Sequence, residues 1–400
     1  MPTLTTEIAI VGGGIVGLAS AYQITQRYPR LRVVVLEKEP RIAAHQSSHN
    51  SGVLHTGIYY RPGSLRARNC REGKLAMQAF CDQEGIPYRI CGKVIVAVSE
   101  AELPQLQTIY ERGQANGVLC EVIPRERLME IEPHTAGIQA IHVPEAGIAD
   151  YPAVCRRLEE KIVAAGGTVL LGARVRKVTE RDARIYVESD QGEVEARYLL
   201  TCAGLQADRV TELTGRTPEA PIVPFRGEYF QLMPEAEYLC QGLIYPVPDP
   251  SFPFLGVHFT RMIHGGVDCG PNAVLALSRE GYRWTDINLR DLWDALAHPG
   301  FRKLACKHWR TGLGEMWRSW SKSAFVKALQ RLVPGIRREH LITAPAGVRA
   351  QALRYDGTLV DDFLIQDSGR VINIGNAPSP AATSSLNIGR LIVDKLAERL

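Results

Sequence analysis

Nowhere do the 400 residues contain an uninterrupted apolar stretch of the roughly 20 residues that a bilayer span requires, so any membrane attachment is expected to be peripheral. The first apolar run, Ile8 to Val11, follows Glu7 and passes straight into glycines. It lacks the basic and long apolar regions of a secretory signal and reads as a buried strand. Nine cysteines are scattered without a CxxC pair or a metal-like cluster. No zinc site and no disulfide framework are therefore expected, and an odd number of thiols in a long chain fits the reducing cytoplasm. A strong charge of one sign is missing too. The formal net charge of +4 falls short of a nucleic-acid footprint, although a mild basic excess suits an anionic substrate or a membrane surface.

What remains is the composition of an enzyme-sized globular protein, 45% hydrophobic and 22% charged, and too long for one core, so two domains are expected. The strongest local signal lies in the first fifty residues. Ile8-Ala9-Ile10-Val11 reads as a strand, Gly12-Gly13-Gly14-Ile15-Val16-Gly17 as a tight turn, and Val16 to Arg27 as a helix. Gly12 allows the turn, Gly14 lets a pyrophosphate approach the backbone, and Gly17 permits close packing of helix on strand. The unpaired N–H groups of the helix start then face the phosphates. A second strand, Arg32 to Leu36, ends at Glu37, twenty residues past Gly17, where a carboxylate can accept from a ribose 2′-OH. Strand, glycines, helix, strand and acid stand in the order that dinucleotide binding requires. The order alone does not separate FAD from NAD.

The continuation separates them. In place of another regular βα unit comes the polar run His45-Gln46-Ser47-Ser48-His49-Asn50-Ser51-Gly52, then Val53-Leu54-His55-Thr56-Gly57-Ile58-Tyr59-Tyr60. Small residues where a backbone must approach a flat ring, with hydrogen-bonding side chains around them, read as a flavin wall. Ser48, Asn50, Ser51 and Gly52 are the cofactor contacts expected there.

Later segments alternate between two characters. Helices are expected at Pro62 to Glu84, Glu100 to Asn116 and Ala153 to Ala165, with short strands at Val94 to Val98 and Thr168 to Leu171. The apolar run Val194 to Leu200 leads to Thr201-Cys202-Ala203-Gly204, a second close backbone crossing, and Ala203, Gly204 and Val175 join the expected cofactor contacts. From Pro221 to Asp268 short β-like segments follow, including Glu228 to Leu232, Leu243 to Val247 and Phe254 to Phe259, and Ser278 to Leu332 reads as mostly helical. The end returns to nucleotide-like features. Arg370 to Asn376 reads as a strand, and a Pro/Ser/Ala loop introduces a helix at Leu386 to Leu400, so Gly375, Asn376, Ser384, Ser385 and Leu386 are expected beside the flavin pyrimidine, where negative charge develops. The predicted fold is an α/β FAD-binding Rossmann-like domain (1–85, 146–220 and 346–400) interleaved with an α+β substrate-binding domain (86–145 and 221–345).

The segments GGGIVGLASAYQI, SSHNSGVLHTGIYYRPGSLRA, GVRAQAL and NIGNAPSPAATSSLNIG together resemble the FAD-dependent L-2-hydroxyglutarate dehydrogenases or oxidases of the D-amino-acid and glycine oxidase-like superfamily, in an order that covers nearly the whole chain. The glycine motif is shared across the superfamily; SHNSGV with HTGIYY is sharper. The resemblance implies oxidation of L-2-hydroxyglutarate to 2-oxoglutarate, with hydride passing to flavin N5 and a base taking the hydroxyl proton. Histidine suits that base, with His55 the first candidate and His49 the other. Arg349 is the candidate clamp for a carboxylate. Tyr60 and Arg61 are placed to close the site, Asn376 to orient flavin or substrate, and His258 to line the opposite face. A flavin oxidase of another hydroxyacid or amino acid, and a non-catalytic FAD-binding protein, are the competing readings.

Between Arg302 and Arg338 ten basic residues face a single acid, Glu315, with Trp309, Trp317, Trp320 and Phe325 interspersed. This is material for a surface resting on anionic lipid at the inner face of the cell membrane, although aromatics at such spacing also serve as ordinary core. The resemblance implies a membrane quinone as electron acceptor, with oxygen as the alternative.

Overall fold

In a computed structural model the described residues are 3–249 and 255–400. Two large sheets dominate. In the first, strands run in the order Val175–Arg181, Arg184–Ser189, Gly192–Thr201, Leu4–Val11, Val33–Leu36, Thr168–Leu170, and Val371–Asn376 pairs with the far end of Gly192–Thr201. Pairing is parallel from Val371–Asn376 through to Thr168–Leu170. A parallel sheet must be covered on both faces, which is why these strands are continuous apolar runs. Ile8 and Ile10 pack beneath the helices Ile15–Arg27, Tyr151–Ala164 and Ala381–Ala397, while Ala9 and Val11 face a second core with Val34, Leu36 and Leu199.

The second sheet has nine strands among the described residues and is mostly antiparallel. At its centre Ile222–Leu232 pairs with Leu341–Ala352, and Leu243–Pro246 lies parallel to Lys93–Ala97. Its core, around Phe259, Phe325 and Ile336, is separate from the first. A three-stranded sheet, Val53–Leu54, Gly147–Ala149 and Tyr88–Ile90, stands where the chain crosses between the two. The architecture is the predicted Rossmann-like α/β unit interleaved with an α+β unit.

Several elements begin or end elsewhere than the sequence pattern implies. The helix Leu65–Glu84 starts where the Ser64 hydroxyl accepts from the Ala67 N–H at 3.1 Å, and stops at Gly85 in a left-handed conformation. The strand expected from 254 runs His258–Arg261, and Phe254 itself lies outside the described residues. Residues 278–288 are irregular, and helices begin only at Leu289. The chain, expected to return to the nucleotide domain at 346, stays paired in the second sheet as far as Ala352. The last helix starts at Ala381 and not at Leu386. Pro378 and Pro380 are the reason: proline disrupts a helix interior yet is well placed just before or within a first turn, so they lead into the helix.

Candidate active site

A cavity of about 1050 Å³ runs between the two large sheets. That lies at the top of the roughly 300–1,000 Å³ usual for small-molecule sites, which leaves room for a cofactor and a substrate together.

One end is built by the glycine turn. Gly12 has φ +114° and a Cβ there would stand 2.3 Å from the Cys202 carbonyl oxygen, so only glycine lets the first strand pass the 201–204 crossing this closely. Gly14 is different: a Cβ would meet only the Ser47 hydroxyl, at 3.4 Å, and its remaining side opens on the cavity. The Ser47 hydroxyl also accepts from the Ile15 N–H at 2.9 Å, in the first turn of the helix. Glu37 lines the cavity, and its carboxylate accepts from the Gly13 and Glu39 N–H groups at 2.7 and 2.9 Å, which fixes its direction. Beside it the Lys38 ammonium lies among Glu39, His45 and Glu280, the one grouping of potential metal ligands among the described residues.

Ser51, Val175, Ala203, Gly204, Gly375 and Asn376 border the cavity as well. Asn50 does too, but its amide is spent bracing its own loop, donating to the Gln46 and Ser47 carbonyls and accepting from the Gly52 N–H. Asn376 similarly donates to the Val360 and Asp362 carbonyls at 3.0 and 3.1 Å. Gly17, Ser48 and Gly52 stand off the wall, as do Ser384, Ser385 and Leu386. The last three are displaced because the C-terminal helix begins earlier than its pattern implies; Ala381, Ala382 and Thr383 make the wall in their place. Thr383 is held by the Tyr151 hydroxyl at 2.8 Å and accepts from the His55 N–H at 3.1 Å.

The other end gathers cations and aromatic rings. His49, His55, His258, Tyr60 and Arg349 all border the cavity, whereas Arg61 is exposed. The His258 Nδ1 is 3.0 Å from the Gly256 carbonyl, which can only accept, so the proton sits on Nδ1 and Nε2 keeps its lone pair. Burial pushes the His258 pKa down to about 3. His49 Nδ1 likewise donates to a backbone carbonyl, that of His45, at 2.9 Å, while its ring stacks on Tyr282. His55 is held well below the usual imidazole range, first by burial and then by nearby basic groups, among them the Lys93 ammonium and the Arg66 guanidinium. At neutral pH it is an uncharged proton acceptor. Arg66 is stacked on the Tyr60 ring at 4.3 Å and donates to the Ser379 and Asp361 carbonyls.

Ser47, Tyr59, Arg66, Tyr229 and Tyr245 line this cavity without having stood out in the sequence. Tyr229, Tyr245 and His258 come from strands of the second sheet, where their neighbours read as core.

A parallel sheet with a glycine turn at one end of a deep cavity, and a second sheet closing the other, is the build of a two-domain dinucleotide-dependent oxidoreductase. The chain belongs to the family described as FAD dependent oxidoreductase (DAO), whose profile matches residues 7–395, and FAD is its cofactor. Among curated relatives, the L-2-hydroxyglutarate dehydrogenase of Indibacter alkaliphilus is 48% identical over 98% of this chain and 99% of its own length. The mitochondrial L-2-hydroxyglutarate dehydrogenase of Homo sapiens is 46% identical over 99% of this chain and 90% of its own. Of solved structures, L-alpha-glycerophosphate oxidase from Mycoplasma pneumoniae with FAD bound superposes with a TM-score of 0.79 at 22% identity, over 98% of this chain and 95% of that one. Glycine oxidase from Geobacillus kaustophilus gives 0.76 at 17%, over 100% and 96%. At such identities these two share the fold.

Proposed function

We propose that the protein oxidises L-2-hydroxyglutarate to 2-oxoglutarate and passes the electrons to a quinone at a membrane surface. The observation that carries the substrate assignment is the identity of 46–48% to L-2-hydroxyglutarate dehydrogenases over nearly the full length of both chains. The electrostatics of the cavity support it. A dicarboxylate finds Arg349 at the end where two neutral histidines stand. An amino-acid substrate, by contrast, would bring a further positive charge to this end. Purified holoenzyme should convert L-2-hydroxyglutarate to 2-oxoglutarate, and a preference for the D-enantiomer, glycine or L-proline would overturn the reading.

In this reading the turn from Gly12 to Ile15 holds the FAD pyrophosphate, Glu37 the ribose, and Gly375 to Thr383 the ring system, which when bound is a two-electron acceptor. Arg349 grips one carboxylate of the substrate with its planar fork. His55 takes the hydroxyl proton as the C2 hydrogen leaves with its electron pair. The substrate's two carboxylates offset the neighbouring cations that, after burial, hold the proton off His55. Tyr60, stacked under Arg66, covers the reacting atoms from water.

No helix among the described residues is long and apolar enough to cross a membrane. Yet two consecutive helices turn apolar stripes outward: Leu289, Trp293 and Leu296 on Leu289–Ala297, then Trp309, Leu313, Trp317 and Trp320 on Pro299–Trp320. Trp293 is 71% exposed and Trp317 63%. Residues spaced four and three apart share one face of a helix, so these are stripes, and exposed stripes this apolar mark contact with lipid or protein. Arg302, Lys303, Lys307 and Arg310 are exposed beside them. Other basic residues of the run are engaged elsewhere: Arg318 with Glu315, Arg331 with Glu102, and Arg337 with Glu339. Exposed basic residues thus share the tryptophan-bearing helix at its 302–310 segment.

A further inference from the structure

Two lysines are almost wholly buried. Lys74, 3% exposed, has a carboxylate partner, Glu145, at 2.7 Å. Lys93, 2% exposed, has none: no hydrogen bond or ion pair joins its ammonium to any described residue. The residues outside that description, 1–2 and 250–254, include no acidic side chain. What the ammonium does meet is aromatic. Nζ stands 4.2 Å from the centroid of the Tyr245 ring and 5.3 Å from that of Tyr59, and Tyr245 in turn stacks on His258 at 4.0 Å. Both tyrosines and His258 border the cavity.

An unpaired buried ammonium is costly, and the two ring faces restore only part of its lost hydration. Replacing Lys93 by an apolar residue would suit the strand Lys93–Ala97, whose Ile95 and Ala97 belong to an apolar core. A charge kept at such a place is explained by an anion that arrives with a ligand. The cavity already has Arg349 for one carboxylate, while Arg66 is occupied with backbone carbonyls. We propose that Lys93 is a specificity-determining positioning residue, its ammonium, presented from behind Tyr59 and Tyr245, being the counter-charge for the substrate's second carboxylate. This rests on the dicarboxylate reading above and deepens it: the lysine makes the site select a dianion over a monoanion of equal length.

The test uses FAD-loaded protein and the flavin absorbance change on binding glutarate or pentanoate, equal in length and differing by one carboxylate. Wild type should prefer glutarate. In Lys93→Met that preference should fall on the order of tenfold or more, with pentanoate binding little changed, and Lys93→Arg should retain it. A preference that survives in Lys93→Met, or equal losses for both ligands, would overturn the assignment. A second arm needs no neutral variant. Burial lowers the Lys93 pKa to about 8. The titratable groups facing it are Cys70, Cys91, Tyr59, Tyr245, His55 and His258. Burial pushes these thiols and phenols up and these imidazoles down, so from pH 7 to about 8.5 the lysine loses its charge ahead of the others. The wild-type preference for glutarate should decline across that window while that of Lys93→Arg stays level; a level wild-type profile would count against the proposal. If L-2-hydroxyglutarate fails to reduce the wild-type flavin, the substrate reading falls. If it reduces the flavin and the preference is independent of Lys93, only the lysine's role falls.

Discussion

A β-carbon on Gly17 would stand 2.0 Å from the carbonyl oxygen of Gly12, so the end of the first strand and the first turn of the first helix lie closer than any side chain at that position permits. Gly17→Ala must push the two apart. Overpacking of this kind costs about 1–3 kcal/mol, and the displaced turn should also retain less FAD. Gly14→Ala makes a cleaner contrast, because its Cβ meets only Ser47 Oγ at 3.4 Å. That variant should melt like wild type in the apo form and still lose FAD affinity. Apoprotein melting and flavin content distinguish the two, and equal behaviour would count against the assignment of Gly14 to the pyrophosphate.

The two ends of the cavity should separate in kinetics. His55→Ala removes the proton acceptor and should slow flavin reduction by roughly 10²–10⁴-fold with substrate affinity largely kept. Arg349→Ala removes binding made before hydride transfer, and its dissociation constant should rise about 10–100-fold. Stopped-flow reduction at varied substrate concentration reads both. A wild-type reduction rate in His55→Ala would pass the role of base to His49 or His258.

The depressed pKa of His258 has a consequence for stability. Above the unfolded value near 6.5 the imidazole is neutral in both states and contributes no pH dependence. As pH falls below it the unfolded chain takes up a proton that the folded chain refuses until about pH 3. Stability is therefore lost through that window, at up to about 1.4 kcal/mol per pH unit for this group. Between pH 6.5 and 5, His258→Gln should lose about 2 kcal/mol less than wild type in urea unfolding at fixed FAD concentration. Parallel losses would mean that the ring is protonated in the fold.

The nucleotide end was legible because its determinants are contiguous: strand, glycines, helix and acid lie within residues 8 to 37. The substrate end was legible only in part. Lys93 sits at the start of Lys-Val-Ile-Val-Ala, and Tyr245 before a proline; each reads as part of an apolar strand. What sets Lys93 beside Tyr245 is pairing of Leu243–Pro246 with Lys93–Ala97 across some 150 residues of chain, a register no local pattern encodes. The tryptophans of 309–320 read either as a lipid-facing surface or as ordinary core, because periodicity cannot tell whether a stripe faces inward or outward. Here it faces outward.

That outward stripe predicts binding to anionic vesicles. Co-sedimentation should weaken with salt, and substituting serine at Trp293, Trp317 and Trp320 together should abolish it while reduction of a small soluble acceptor dye continues. Vesicle binding unaffected by the triple substitution would assign the stripe to another partner.

The central claim is tested most directly by anaerobic titration of the FAD-loaded protein with L-2-hydroxyglutarate. The oxidised flavin spectrum should bleach, with 2-oxoglutarate recovered in amounts matching the flavin reduced, while D-2-hydroxyglutarate, glycine and L-proline leave it oxidised. A flavin that stays yellow under L-2-hydroxyglutarate and bleaches with an amino acid would contradict the account.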